Sequence, residues 1–409
     1  MSSSPTEILL PHRPTGTLPA VVTEGDRQGL FEVLSTIPDP RDPRGCRYSL
    51  VSILAVAVCA VLAGACTFAS VTDWVRNQDQ EVWDRLGFSD RVPAATTVWR
   101  LLIRIDADVL SRVLARWLLA RTAPVTMAGR RWRLVIAVDG KVERGARLAD
   151  GRQVHLLSAY DTSTGVVLAQ VRIDAKSNEI PAFTPLMRLV AAQLGSLQDV
   201  LVVADALHAQ TGHAELLAAD GGHLMVTVKG NQPTLHNQLK SLPWAQIPIG
   251  SQTLETGHGR KETRTVKTVT VATPGEMAFP HAQQAVRITR TRTIKGNTSR
   301  EAAYLTVSLP AEQAQPADLG TWARSEWHIE NRLHYVRDVT LREDAHQART
   351  GNGPAVFATL RNTSIGYHRT NGATNIAEAT RRANHRPHDL IDAVTTSNPA
   401  LTRGNPTTQ

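Results

Sequence analysis

Residues 134–141 read LVIAVDGK, five apolar residues followed by Asp139, Gly140 and Lys141. A short, uninterrupted apolar run rich in β-branched residues is the pattern of a strand buried on both faces. DVLVVADALH, residues 199–208, repeats it, with Asp205 closing the run Val200–Ala204. Strands that end in aspartate place the carboxylate at a sheet edge, where loops leave room for a ligand. If the two strands are neighbours, Asp139 and Asp205 lie close enough to repel, and a divalent cation removes that penalty. Oxygen ligands suit Mg²⁺ or Mn²⁺, and a pair of such ions is a common device for in-line displacement at phosphorus. The plain alternative is that each aspartate caps the turn after its strand. A third carboxylate decides between the two.

The helical pattern TWARSEWHIENRLHYVRDV, residues 321–339, offers one. Trp327, Glu330 and His334 recur at i, i+3 and i+7 and share a helix face. Glu330 lies among Trp327, Ile329 and Leu333, which predicts a less solvated carboxylate than a surface glutamate. Glu343 and Asp344 in LREDAHQAR are competitors, expected past the helix end on more mobile chain.

Outward from these strands the chain divides by pattern. Residues 1–25 are rich in Pro, Ser and Thr and read as disordered, as do residues 393–409. Residues 26–122 read as an all-helical N-terminal region, with one helix in the apolar stretch from Tyr48 and another across Ala94–Arg121. From Arg131, three β-branched runs, a helix, a strand, a helix and a strand define an α/β unit with a mixed sheet over 131–250. Residues 251–310 turn strand-rich again, and 311–392 return to helix. The 251–310 segment holds nine Lys and Arg against four Glu, most of the chain's net +8. Such a segment suits a phosphate-facing surface, and alternating arginines on a strand equally suit a solvated face.

The chain has 409 residues and a pI near 9.7, which favours a polyanionic partner without requiring one. Cys46, Cys59 and Cys66 fall in one segment, which speaks against a disulfide framework or a structural zinc site and fits a reducing cytoplasm. The first residues lack the charged start and apolar core of a signal peptide. Tyr48–Thr72 carries no charge over 25 residues, enough to span a bilayer. Its Ala, Ser, Gly, Cys and Thr content reads instead as a buried helix, so no membrane partner is expected.

Seven blocks in order, among them IAVDGKVERGA, DAKSNEIPAF, VVADALHAQ, VTVKGNQPTL and EWHIENRLHYVRDVTLREDA, resemble the DDE transposases of bacterial insertion sequences. The branch is the ISAs type, which includes the H-repeat-associated proteins, and the likeness spans roughly residues 30–370. It implies an α/β fold with a ribonuclease H-like core, a β-rich insertion before the last carboxylate, and a helical N-terminal DNA-binding region. It also implies two Mg²⁺ (or Mn²⁺) ions held by Asp139, Asp205 and Glu330, which stand 66 and 125 residues apart. Implied partners are DNA, as terminal inverted repeats and target, and a second copy of the chain on that DNA. The implied location is the cytoplasm, beside the nucleoid.

Related transposases carry a Tyr, Arg, Glu, Lys signature on the helix of the third carboxylate. Here those positions hold Ala323, Glu326, Glu330 and Arg337, so Arg337 is the candidate phosphate contact there, with Arg324 a substitute. Lys141, Arg144 and Lys229 stand in loops near the proposed site, and Arg260, Lys261, Arg264, Arg290 and Arg292 in the insertion are further DNA contacts on this reading. Asn178 reads as a helix cap. Two other functions use the same residues: a nuclease without strand transfer, and an inactive DNA-binding relic, which the intact carboxylate set argues against.

Overall fold

The computed structural model describes residues 29–44, 46–122, 133–147, 151–173, 177–257, 259–272 and 275–396. The N-terminal segment 1–25 and residues 397–409 lie outside the described residues. Residues 393–395, expected to belong to a C-terminal tail, are instead part of the last helix, which runs through Thr395.

Among the described residues six helices come first: α1 (Leu30–Leu34), α2 (Leu50–Leu62), α3 (Phe68–Arg76), α4 (Gln80–Arg85), α5 (Ala95–Leu102) and α6 (Ala107–Leu119). Both long helices read from periodicity are in fact broken in two. Gly64, at φ +97°, ends the first, and Thr67 starts α3 by accepting the Ser70 N–H at 3.1 Å. Asp106 restarts the second by accepting the Asp108 and Val109 N–H groups at 2.9 and 3.0 Å. Short polar side chains offer the backbone bonds that compete with helix continuation, and an apolar period does not register them. Every residue of α2 except Val51 is buried, which accounts for its lack of charge. No helix among the described residues is long and apolar enough to cross a membrane.

The strands are β1 (Val135–Arg147), β2 (Gln153–Asp161), β3 (Val167–Arg172), β4 (Leu201–Ala204), β5 (His223–Val228), β6 (Ser251–Gly257), β7 (Arg260–Thr270), β8 (Gln284–Ile294) and β9 (Asn297–Val307). Interleaved are α7 (Glu179–Leu194), α8 (Thr211–Ala219) and α9 (Pro233–Ser241). All nine strands form one sheet in the order β3-β2-β1-β4-β5-β9-β8-β7-β6. β1, β4 and β5 are parallel and the other pairs antiparallel. The basic segment 251–310 therefore extends the sheet, joining it where β9 pairs with β5.

Side chains alternate across the sheet, and β1 shows the consequence. Ile136 and Val138 join the core shared with α2, α6, α7, α8 and α9, whereas Val135 and Ala137 join a second core with Leu319, Ile329 and Leu333. The second core lies under α10 (Pro316–His328) and two π-helical segments, Ile329–His334 and Val336–Thr340. α11 (Gly353–Thr370), α12 (Ile376–His385) and α13 (Pro387–Thr395) close the chain. α11 packs on α2 and α6, so the N-terminal helices share a continuous core with the C-terminal ones.

Candidate active site

Asp139 and Asp205 stand side by side. Their strands pair in parallel up to Val138↔Ala204, one residue before each aspartate, and adjacent strands lie about 4.8 Å apart. Sharing parity with Ala137 and Val203, both face the side of the sheet covered by α10. One expectation needs correcting, because Asp139 does not end its strand. β1 continues against β2 from Asp139↔Ser158 to Glu143↔Val154, so Asp139 marks where the parallel ladder stops and the antiparallel one runs on. Asp205 does leave its strand, and accepts the Leu207 N–H at 2.9 Å at the start of a 3₁₀ turn. Asp205 thus caps this turn while standing beside Asp139.

Glu330 comes from the other side, on the first π-helical segment. One donor atom each from Asp139, Glu330 and His334 lie within 4.8 Å of one another. His334 Nδ1 is 3.4 Å from Asp139 Oδ2 and 3.3 Å from Glu330 Oε2. Asp205 lies outside this tightest group. The imidazole of His334 is buried, which alone would lower its pKa, but the hydrogen bonds to Asp139 and Glu330 outweigh burial and raise it. The same bond to His334 holds the Glu330 carboxyl below its usual range.

The winding of this segment explains the alignment. In an α-helix, residues four apart drift by about 40° per step, whereas i→i+5 bonding puts more residues in each turn and keeps them in line. Glu330, His334 and Asp338 accordingly form one stripe towards β1. Trp327, Tyr335 and Val339 form another towards solvent, at 61%, 58% and 56% exposure. The expected shielding of Glu330 by Trp327 is absent, and the Glu330 side chain is 59% exposed. An apolar period fitted to 3.6 residues does not reveal π winding.

Glu326, which stands where relatives have arginine, is a further carboxylate near Asp205 and Asp139. Burial, and then the like charges of Asp205 and Asp139, push its carboxyl up to about 7. It stands one turn before Glu330 on the same helical stretch. A second group backs the aspartates on the opposite face, where Gly140 lies against Glu179. The Glu179 carboxylate meets His208 Nε2 at 3.3 Å and His155 Nε2 at 3.4 Å. Burial would raise the Glu179 carboxyl, and the two histidines bring it down to about 2. Asn178 caps α7 as expected, accepting the Ile180 N–H at 3.0 Å.

The candidate phosphate contacts divide. Lys141 and Arg337 are buried, Lys141 donating to Asp338 at 2.6 Å and Arg337 to Glu343 at 2.8 Å and Glu143 at 3.1 Å. Neither presents its charge to a phosphate, so that expectation is withdrawn for both. Glu343, expected to be mobile, is fixed between Arg337 and Arg361. Lys229 is exposed just past the end of β5, and its charge reaches Glu326. Asn231 and Gln232 beside it donate to Ala206 O and Ala209 O, tying this loop to the turn after Asp205.

Arg144 is exposed beside Asp344 at 3.6 Å. Arg260 and Arg264 flank Glu262 at 3.8 and 2.5 Å, Arg290 meets Glu301 at 2.8 Å, and Arg324 pairs with Glu255. Lys261 is exposed and Arg292 half-buried. Arg264, Arg290 and Arg292 share one face of β7 and β8, through the partners Arg264↔Arg290 and Glu262↔Arg292.

Carboxylates gathered at one sheet edge, with a buried imidazole between two of them, form a donor set rich in oxygen. Such a set fits a divalent ion of the Mg²⁺ or Mn²⁺ type. Residues 133–365 match the transposase DDE domain family and residues 31–118 the DDE_Tnp_1-associated family. The chain belongs to the DDE transposases of insertion sequences. Its relatives include the "Putative transposase YncI" of Escherichia coli O157:H7, 28% identical over 83% of this chain and 86% of that one. Another is the "H repeat-associated putative transposase YhhI" of Escherichia coli strain K12, 26% identical over 82% and 89%. A solved structure of the piggyBac transposase synaptic complex with hairpin DNA covers 95% of this chain and 80% of that one. Its TM-score is 0.40 with 11% identity, a likeness too distant to build on.

Proposed function

We propose that this transposase cleaves the DNA ends of its insertion sequence and joins them to target DNA by divalent-metal-dependent phosphoryl transfer, on a ribonuclease H-like core. The observation that carries the reading is the convergence of Asp139 and Glu330, 191 residues apart in sequence, on one buried histidine, with Asp205 on the neighbouring strand. Asp139, Asp205 and Glu330 would hold the ions, Mg²⁺ or Mn²⁺, which when bound supply a nucleophile at neutral pH and charge neutralisation at phosphorus. His334 orients two of the three carboxylates. Glu326, whose carboxyl titrates near neutrality, stands where it can take up a proton beside Asp205. Lys229 and the arginines of β7 and β8 supply phosphate contacts on the same side, and a second copy of the chain assembles with the first on DNA.

The test is a set of three variants, Asp139→Asn, Asp205→Asn and Glu330→Gln, on duplexes carrying the element ends. Each variant loses Mg²⁺-dependent cleavage while binding the ends with affinity near that of the unaltered protein. Near-normal cutting by any one removes that residue from the site. Cutting without joining by the unaltered protein would leave a nuclease in place of a transposase.

A further inference from the structure

The strand and the helical segment that bring Asp139 and Glu330 together touch at more than the site. Asp139, Lys141 and Glu143 alternate with outward residues on β1 and so point the same way. Each meets the π-helical stretch: Asp139 at His334 (3.4 Å), Lys141 at Asp338 (2.6 Å) and Glu143 at Arg337 (3.1 Å). Two residues of strand advance about 7 Å and one helical turn roughly 5 Å, so the step from the Asp139–His334 contact to Lys141–Asp338 matches one turn, and Glu143 then meets Arg337 in that same turn. Three of the four residues of the lower rungs are buried, Lys141 at 8%, Glu143 at 2% and Arg337 at 0% exposure, while the Asp338 side chain keeps 29%.

We propose that Lys141–Asp338 and Glu143–Arg337 form a register lock between the strand of Asp139 and the segment of Glu330, making these four positioning residues for the phosphoryl transfer proposed above, on which this inference rests. A buried apolar contact tolerates sliding, because it has no preferred direction. Hydrogen-bonded polar and charged groups shielded from water do not, because a shift of either element leaves both members of a pair desolvated and without a partner. A one-residue slip of the strand would also turn Asp139 to the far face of the sheet. The lock is anchored beyond the rungs, since Glu343 accepts from both Arg337 and Arg361, and Arg361 donates to Cys66 O at 3.0 Å. Two arginines thus face two glutamates, and the helical segment cannot lift without exposing that set. Reaching this precision matters because a misplacement of about 1 Å can cost on the order of a hundredfold in rate.

The experiment compares the full-length chain with Lys141→Met, Asp338→Asn, Asp338→Glu and the exchange Lys141→Asp with Asp338→Lys. Four quantities are read: the thermal midpoint, affinity for end DNA, Mn²⁺ affinity by electron paramagnetic resonance of the free ion, and the single-turnover cleavage rate on bound DNA. Lys141→Met and Asp338→Asn should weaken Mn²⁺ binding about tenfold and slow cleavage by about ten- to a hundredfold, with DNA affinity within about twofold. Asp338→Glu, which keeps the charge and lengthens the arm, should fold normally and still lose part of the Mn²⁺ affinity. The exchange should recover Mn²⁺ affinity over either single variant. Unchanged Mn²⁺ affinity and cleavage in folded single variants, or an exchange no better than its parents, overturns the lock alone. An unaltered protein that neither binds Mn²⁺ nor cuts would overturn the functional reading, and the lock with it.

Discussion

Gly140 follows Asp139 directly, and the structure says what a side chain there would cost. A Cβ at this position would stand 2.2 Å from Glu179 Oε1, 2.4 Å from its Cδ and 2.7 Å from His155 Nε2. All three atoms are at the ends of side chains, so the strand need not move. Glu179 must instead swing away and give up its contacts to His208 and His155 at 3.3 and 3.4 Å. Hydrogen bonds to a charged group contribute about 1.5–3 kcal/mol each, and the length of both places them at the low end, about 3 kcal/mol together. Replacing glycine restricts the unfolded chain and returns about 0.4–1 kcal/mol. Gly140→Ala should therefore lose about 2 kcal/mol in urea unfolding at neutral pH.

The same reasoning fixes the behaviour of a double variant. With Glu179→Ala already in place, the space is open and the hydrogen bonds are already gone. Adding Gly140→Ala should then cost roughly nothing, a coupling of about 2 kcal/mol between neighbours. If Gly140→Ala costs as much in the Glu179→Ala background as in the unaltered chain, the contact with Glu179 is not what demands glycine at this position.

Glu343→Gln should destabilise the fold by about 3–5 kcal/mol, because it leaves Arg337 and Arg361 buried with too little negative charge; a loss under about 1 kcal/mol in urea unfolding would mean the network is not buried in solution. His213 and His346 are pushed down to about 4, by burial first in both cases. The unfolded chain takes up protons near pH 6.5 that these folded histidines refuse, so stability falls as pH drops from 6.5 towards 4, by on the order of 2 kcal/mol per histidine at pH 5. His213→Gln should shrink the difference between urea midpoints at pH 7 and pH 5, and an unchanged difference would clear His213. In the basic strands, Arg290→Ala with Arg292→Ala should flatten the salt dependence of DNA binding by one to two in log–log slope, at about 0.9 per lost phosphate contact. Arg287→Ala, on the opposite face, should leave the slope alone, and equal slopes for all would mark the Arg290 face as merely solvated.

What could be read from the sequence was set by how local its cause is. The runs before Asp139 and Asp205 announce buried strands because a strand covered on both faces must be apolar at every position. The hairpins of 251–310 show through their β-branched alternation. Beyond Asp139 the residues VERGAR look like loop, yet they are strand, because Glu143 finds Arg337 194 residues away. Lys141 and Arg337 look like surface cations for the same reason, since a single sequence carries no sign of a distant partner. Glu330 was legible from its motif. Its exposure was not, because Trp327, expected to cover it, faces solvent at 61% exposure. The four shorter helices near the N-terminus were hidden inside two apolar periods, broken by Gly64, Thr67 and Asp106.

Synthesis of the chain from its N-terminus gives the packing of α2 on α11 a further meaning. Ser364 donates to Val61 O across 303 residues, and His368 meets Leu62 O across 306. At about 5–20 residues per second, a ribosome needs roughly 15–60 s to make that interval. Throughout it α2, uncharged along its whole length, waits without the cover of α11. The nascent chain should consequently draw on chaperones from the emergence of α2 until the last helices leave the ribosome, and truncation before Gly353 should yield aggregate in place of a smaller folded product.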